Sequence, residues 1–397
     1  MIDIKIPELE YHFHVAGRST SRVINQRAII DKIYQENGIS KAQLAKDLGI
    51  SKPTVTSNVD DLISTGLVLE KGEGESTPGG GRRPVLLYFN QTYSYIGVMD
   101  LSFANPICTI CDLKFGIIGM DIVIFDEDDS LDEQKRLIKQ AFLKILDDAG
   151  VPLEKLGIVI ISQPGVSTTG TVTDFIGDRH RSWVGTGLRA FLEEELKAQV
   201  ILKNDVNLAA VGEVHFGTDK RLRDLIYVSC GVGLGAGLII QGELYEGGMH
   251  AAGEIGYMLR YDGRYVEEGV TKDVLIKRVE KIYEDNGINE KMTFPIIVER
   301  LKNGDVLVEK VVCEIGRELG RIIQNCCILL DIPTVIFGGE YLELGSVLFD
   351  CIRDFMKETT IFKHEFIPSS LKDAAGLYGG FVVGKDKLIS VLVENKK

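Results

Sequence analysis

Near residue 90 the spacing of apolar residues changes, and the change separates two kinds of structure. From Ser21 the apolar residues recur with a helical period: Val23, Ile30, Ile33 and Tyr34 share one face, and Asn37-Gly38 ends the segment. Ser40 and Gln43 form a capping box for a second helix, whose buried stripe is Leu44, Ala45 and Leu48 and whose stop is Gly49. A third helix starts at Ser51 with Pro53 in its first turn and points Val55, Val59 and Leu62 inward. Lys52, Thr54, Thr56, Ser57 and Asn58 then fall largely on outer faces. Gly66 to Leu69 reads as a strand, 71–81 as a glycine-rich loop, and Val85 to Phe89 as the returning strand. A hairpin after a helix-turn-helix is a winged helix, a DNA-reading module. Its candidate contacts are the five outer residues of the third helix together with Arg82 and Arg83 at the base of the wing, where they reach backbone phosphates or a minor groove. The module is assigned to residues 18–90, and residues 1–17 form an aperiodic lead-in.

Residues 91–397 form the second part, and it is of the α/β class. Tyr95 to Leu101, Ile107 to Leu113 and Ile117 to Phe125 are strand-length apolar runs, and Leu131 to Asp148 is an amphipathic helix. Leu156 to Ser162 is a strand leading to Gln163-Pro164-Gly165. A helix over Leu188 to Lys197 leads to strand Val200 to Lys203 and then to Asn204-Asp205. Leu225 to Cys230 enters the run Gly231-Val232-Gly233-Leu234-Gly235, and a helix over Val311 to Leu330 precedes strand Thr334 to Phe337 and Gly338-Gly339. Strands that end in glycine loops or carboxylates build ligand clefts.

Charge follows the same division. Residues 18–90 carry a net +2, residues 1–17 a net −2, and the remainder −13. That argues against a chain that coats nucleic acid along its whole length and favours a small DNA module on an acidic body. The seven cysteines are odd in number and lie mostly in apolar runs, so no disulfide framework is expected, and a reducing, cytoplasmic setting is. Cys108 and Cys111 have C-x-x-C spacing but lie in a strand-like run with no second pair, which argues against a metal or redox site. The most apolar stretch, Leu225 to Ile240, is interrupted by four glycines and is too short to span a bilayer, so no membrane partner is expected.

Several segments together resemble the ROK family (repressors, open reading frames and sugar kinases), and its repressor branch in particular. Asn25-Gln26-Arg27, Ser51-Lys52-Pro53-Thr54-Val55 and Gly80-Gly81-Arg82-Arg83-Pro84 look like that branch's winged helix. Asn204-Asp205-Val206-Asn207-Leu208-Ala209-Ala210-Val211-Gly212-Glu213 looks like the family's catalytic-loop segment, and Ala252-Gly253-Glu254-Ile255-Gly256 like its sugar-binding segment. The resemblance covers nearly the whole chain. It implies a winged helix-turn-helix followed by the two-lobed actin/hexokinase-like (ribonuclease H-like) ROK domain, with a sugar in the cleft between lobes and a homodimer or homotetramer as the assembly.

The resemblance also assigns roles. Asn204, Asp205, Glu254, Tyr257 and Glu267 would hydrogen-bond sugar hydroxyls, and in a kinase Asp205 would be the general base that takes the attacking hydroxyl's proton. As a plain structural residue, Asp205 would instead cap the helix after it. The phosphate machinery departs from the kinase pattern. Where kinases have an acidic residue followed by Gly-Gly-Thr, this chain has Asp100-Leu101-Ser102-Phe103-Ala104-Asn105, and Val232 stands where the second loop has Thr. The metal pattern is missing too: Tyr257 occupies the position of a His, and Arg260 to Glu268 contains no Cys, so no structural zinc is expected and no cofactor is called for. The expectation is a non-enzymatic, sugar-responsive regulator, most simply a repressor released from operator DNA by a monosaccharide or a derivative. The alternative is an ATP-dependent sugar kinase with an added DNA-binding domain.

Overall fold

In a computed structural model of the chain, the residues described are 21–394 except 37, 74–82, 103–104, 127, 169–170, 174–182, 184–185, 218–221 and 361. The expected lead-in, most of the glycine-rich wing loop and Arg82, and Phe103-Ala104 of the first hairpin lie outside them. In chain order the first elements are α1 (Ser21–Gln35), β1 (Ile39–Ser40), α2 (Lys41–Leu48), α3 (Lys52–Thr65), β2 (Val68–Glu73) and β3 (Val85–Phe89). Next come β4 (Tyr95–Asp100), β5 (Ile107–Asp112), β6 (Ile117–Ile122), α4 (Leu131–Asp148), β7 (Leu156–Gln163), β8 (Val166–Thr168), β9 (Thr171–Thr173), α5 (Leu188–Leu196) and β10 (Gln199–Asn204). Then follow α6 (Asp205–Phe216), β11 (Leu225–Cys230), β12 (Leu234–Ile240), β13 (Glu243–Leu244), α7 (Glu267–Val270), α8 (Lys272–Asp285), α9 (Phe294–Lys302) and α10 (Val306–Leu330). β14 (Thr334–Gly338), α11 (Gly345–Thr359), β15 (Glu365–Pro368) and α12 (Ala375–Glu394) complete it. The chain divides into two units: Met1–Gln163, His180–Lys203 and Gly380–Lys397 form one, and Pro164–Arg179 and Asn204–Gly379 the other.

The first unit opens with the winged helix. Ser40 Oγ accepts from the Gln43 N–H at 3.1 Å and Ser51 Oγ from the Thr54 N–H at 3.3 Å, so both predicted N-caps form. Ile29, Ile30, Ile33, Leu44, Val55, Val59 and Leu87 are fully buried between the helices and the wing. The wing sheet runs β1-β3-β2, with Ile39 opposite Leu87. Two residues are too few to show any period, which is why β1 is invisible in the sequence. The same unit holds a five-stranded sheet ordered β10-β7-β4-β5-β6, antiparallel from β4 to β6 and parallel between β4 and β7. α4 and α5 cover one of its faces through Ile138, Phe142, Ile145, Leu192 and Leu196.

The winged helix and this sheet belong to one unit because the later part of α12 joins them. Arg27, only 5% exposed on α1, donates to Ser390 Oγ at 2.6 Å and approaches Glu394 at 3.6 Å. Lys385, fully buried, places its ammonium 4.1 Å from the Tyr34 ring centroid on α1 and 4.2 Å from that of Phe115, in the β5–β6 turn.

The second unit is built on a sheet ordered β13-β12-β11-β14-β15, with β11 antiparallel to β12 and parallel to β14. Val228, Leu275, Val279, Ile315, Leu319, Val335, Phe337 and Ile352 form its core. α12 itself is not legible as a helix, because its early half carries glycines that cost about 1 kcal/mol each relative to alanine. The packing explains them. A Cβ at Gly379 would fall 1.8 Å from the Leu208 carbonyl oxygen of α6, and one at Gly384 2.5 Å from the Ile96 side chain of β4.

One cysteine expectation is corrected. Cys313 on α10 and Cys351 on α11 form a disulfide, with Cα atoms 5.3 Å apart. The approach is set by glycines one and two turns further along α10. A Cβ at Gly316 would lie 3.0 Å from Cys351 Cβ, and one at Gly320 3.1 Å from the Phe355 ring. A pairing of this kind has no spacing signature. Cys108 and Cys111 are both buried on β5, three residues apart and so on opposite faces of the sheet, which rules out a joint site.

Candidate functional site

Two sites were expected from the residues. On α3, Lys52, Thr56 and Ser57 are exposed, Thr54 is half-buried with its hydroxyl 2.7 Å from Ser51 Oγ, and Arg83 is exposed two residues before β3. Asn58 departs from the expected outward face: it is 6% exposed and donates to the Thr54 carbonyl at 2.8 Å, so its amide serves the helix. Position 58 lies three residues past buried Val55 and next to buried Val59, which turns it toward the core.

The second site is assembled within the second unit, at the end of β10. Asn204 is the N-cap of α6: its Oδ1 accepts from the Asn207 N–H at 2.9 Å and its Nδ2 donates to the Gly165 carbonyl at 3.1 Å. The capping role open to Asp205 therefore belongs to its neighbour. Asp205 occupies the first helical position, its Oδ1 accepting from the Val206 N–H at 2.9 Å. A negative charge is favourable at that end of a helix. Glu213, at the close of the same motif, is buried and structural. It accepts from the hydroxyls of Ser369 and Ser370 and from the Leu371 N–H at 3.0 Å.

Facing Asp205 is the segment around Glu254. Gly253 has φ +91°, and a Cβ there would lie 1.9 Å from the Ala236 carbonyl oxygen, so only glycine lets this loop cross β12 so closely. The Ala236 N–H donates back to the Gly253 carbonyl at 2.8 Å. A single 3₁₀ turn, Ile255–Tyr257, follows. Burial pushes the Glu254 carboxyl up to about 7, and the negative charges of Asp205 and Glu267 add to it. Burial likewise lifts the Tyr257 hydroxyl to about 12, with Glu267 and Glu254 contributing. Its ring meets Tyr265 edge-on at 5.4 Å between centroids. Glu267 opens α7, and a Cβ on Gly256 would sit 3.1 Å from its Oε2. Asp205, Glu254, Tyr257 and Glu267 thus come together from three separate stretches of chain. The set offers acceptors, one phenolic donor and a carboxyl poised to hold its proton near neutrality, which suits a polyhydroxylated ligand.

The glycine hairpin between β11 and β12 lies in the same unit. The Gly231 N–H donates to the Gly233 carbonyl at 3.0 Å, which closes the turn on itself. Glu340, after Gly338-Gly339, packs against it, and a Cβ on Gly231 would meet the Glu340 carboxylate at 2.8 Å. Lys272 Nζ donates to Glu340 at 2.6 Å. The Glu340 charge at this turn is therefore balanced by the Lys272 ammonium.

Comparison with known proteins decides the family. The family model described as "ROK family" matches residues 128–387, and one described as "Winged helix-turn-helix DNA-binding" matches residues 24–68. The chain belongs to the ROK family. It is 26% identical over 383 residues to the xylose repressor of Caldicellulosiruptor bescii, an alignment covering 90% of this chain and 94% of that protein. It is 25% identical to the DNA-binding transcriptional dual regulator NagC of Escherichia coli, covering 83% and 84%. A crystal structure of a ROK family transcriptional regulator, a homolog of the E. coli MLC protein, superposes with TM-score 0.76 at 19% identity over 94% of this chain and 98% of that one. The ROK fold here is the α/β, actin/hexokinase-like class preceded by a winged helix.

The metal of the family's pattern does not fit these residues. The Tyr257 ring occupies the His position, and Arg260, flanked by Asp262 at 3.5 Å and Glu318 at 3.6 Å, occupies the loop where Cys ligands belong. Among the described residues no group of three or more His, Cys, Asp or Glu could hold a metal ion. No described helix is long and apolar enough to cross a membrane. Arg260, Arg278 and Glu318 carried no sequence signal, since 40 residues separate Arg278 from Glu318 and no motif includes them.

Proposed function

We propose that this ROK protein is a sugar-responsive DNA-binding repressor of carbohydrate-utilisation genes, with no kinase activity of its own. The observation that carries the reading is the convergence of Asp205, Glu254, Tyr257 and Glu267 in a chain that also bears a winged helix. A monosaccharide has its stereochemistry written in hydroxyl directions, and these groups, with Asn204 beside them, supply fixed partners for several hydroxyls at once. α3 reads operator DNA through Lys52, Thr54, Thr56 and Ser57, with Arg82 and Arg83 on the backbone. A homodimer would set two such helices in successive major grooves about 34–36 Å apart. The winged helix is assigned to residues 18–90 and the effector-binding part to residues 91–397, in the cytoplasm. The names of the relatives favour D-xylose as the first effector to try. For the sugar to change DNA affinity it must bind two conformations of the protein unequally.

Against the kinase reading stand the missing Gly-Gly-Thr after Asp100 and Val232 where the second loop of the kinases has Thr. If the chain were a kinase, Asp205 would be its base. The test is gel-shift binding to operator sequences selected from a random DNA pool, titrated with D-xylose, D-glucose and N-acetyl-D-glucosamine, beside a phosphorylation assay with Mg-ATP. One sugar should release the DNA and no sugar should be phosphorylated. Unchanged operator affinity at saturating concentrations of every sugar refutes the effector reading, and turnover of ATP refutes the non-enzymatic one.

A further inference from the structure

α7 carries Glu267 into the effector site, yet it is a single turn and cannot hold itself in place. What holds it is a group of charges from three distant segments. Arg278 of α8 donates to the Gly269 carbonyl of α7 at 2.9 Å. The same guanidinium donates to Glu318 of α10 at 3.0 and 3.1 Å. Arg260, from the loop before α7, reaches Glu318 at 3.6 Å from the other side and Asp262 at 3.5 Å. Gly269 is the fulcrum, because a Cβ there would lie 2.2 Å from the Arg260 guanidinium and 2.7 Å from the Glu318 carboxylate. The loop bearing Arg260 is closed by a bridge between Leu259 and Tyr265 and by the Val266 N–H on the Met258 carbonyl at 2.9 Å. Among the described residues Glu318 is thus the anion shared by both arginines, and it is 24% exposed, which leaves these pairs less screened than surface ones.

We propose that Glu318 is a positioning residue for effector binding: through Arg260 and Arg278 it fixes α7 and hence Glu267, and this ion-pair clasp does the work that the family's pattern gives to a metal. The inference rests on the effector reading above. It places a charged cluster that supplies no proposed sugar contact in control of affinity for an uncharged ligand. Two consequences follow. Effector affinity is indifferent to chelators. It also falls as salt rises, although a neutral sugar by itself has no salt dependence.

The experiment is isothermal titration of the full chain with D-xylose, D-glucose and N-acetyl-D-glucosamine. It is run for the native protein with and without EDTA and at 0.1 and 1 M NaCl, and for Glu318→Gln. Operator affinity without sugar and the sugar-free thermal midpoint serve as readouts that a loss of general structure would move. The expected result is a loss of about tenfold in affinity for the responsive sugar in Glu318→Gln, with sugar-free operator binding kept. The native protein should show no effect of EDTA and a several-fold weakening at high salt. Should Glu318→Gln fail to fold, the salt and EDTA arms decide alone. Full sugar affinity in Glu318→Gln, salt-independent binding, or loss of binding with EDTA each overturns the proposal while leaving the effector reading standing. Binding of no sugar by the native protein overturns the effector reading, and the clasp's role with it.

Discussion

Replacing Glu254 by Gln should make this protein more stable above neutrality while weakening its effector site. The carboxyl sits at about 7 rather than its ordinary 4.5, chiefly because it is buried and secondarily because Asp205 and Glu267 repel its charge. Moving it that far disfavours the ionised form by about 3 kcal/mol, at 1.36 kcal/mol per tenfold change in proton affinity. That figure is a ceiling, since water entering an open site screens part of it. The sign follows from linkage. Between 4.5 and 7 the folded state holds a proton that the unfolded state has released, so stability falls as pH rises through that window and stays low above it. Gln keeps the size and hydrogen-bonding capacity of the protonated acid and cannot ionise. The measurement is urea unfolding of the native protein and Glu254→Gln at pH 5, 6, 7 and 8. The difference in stability between the two should grow by about 1–3 kcal/mol from pH 5 to pH 8 in favour of the variant. Other titrating groups are common to both proteins and cancel in that difference. Parallel curves would refute the claim that Glu254 is held near the negative charges of Asp205 and Glu267 in a desolvated site.

Three further outcomes are expected. Gly379→Ala gains about 1 kcal/mol of helix propensity but must push α12 off the Leu208 carbonyl, so urea unfolding should show a net loss of about 1–3 kcal/mol; a stabilised variant would show that the two backbones are not in contact. Arg27→Ala removes the bonds to Ser390 and Glu394, and proteolysis should cut the winged helix faster while the ROK part stays resistant. Lys385 is driven by burial down to about 7 from 10.5, so the unfolded state binds the extra proton between those values and the native protein should gain stability from pH 7 to pH 10. Lys385→Met should abolish that gain, and an unchanged pH slope would show that Lys385 titrates normally.

Much of the candidate site is readable because local motifs carry it. Asn204-Asp205, Gly253-Glu254 and Tyr257 lie in short segments that resemble the family's motifs, whereas the one local form expected there, a helix cap at Asp205, falls on Asn204 instead. Asn58 misled because a polar residue on a short amphipathic helix is normally solvated, whereas here its amide bonds one turn back and lies inward. The clasp of Arg260, Arg278 and Glu318 could not be read at all. Charged residues on surface helices are common, and nothing in their spacing says which of them meet.

The sequence alone determined the three helices of the winged module with their caps at Ser40 and Ser51, the main strand runs, and the change from winged helix to α/β body. Each of these depends on residues within a turn or two of one another, where spacing and side-chain type act directly on the backbone. Tertiary structure decided the rest: a glycine-bearing helix at 375–394 held against α6 and β4, Cys313 brought to Cys351, and Glu318 set between two arginines. Those outcomes depend on which distant surfaces fit closely enough to exclude water or a Cβ, and that fit exists only once the chain has folded.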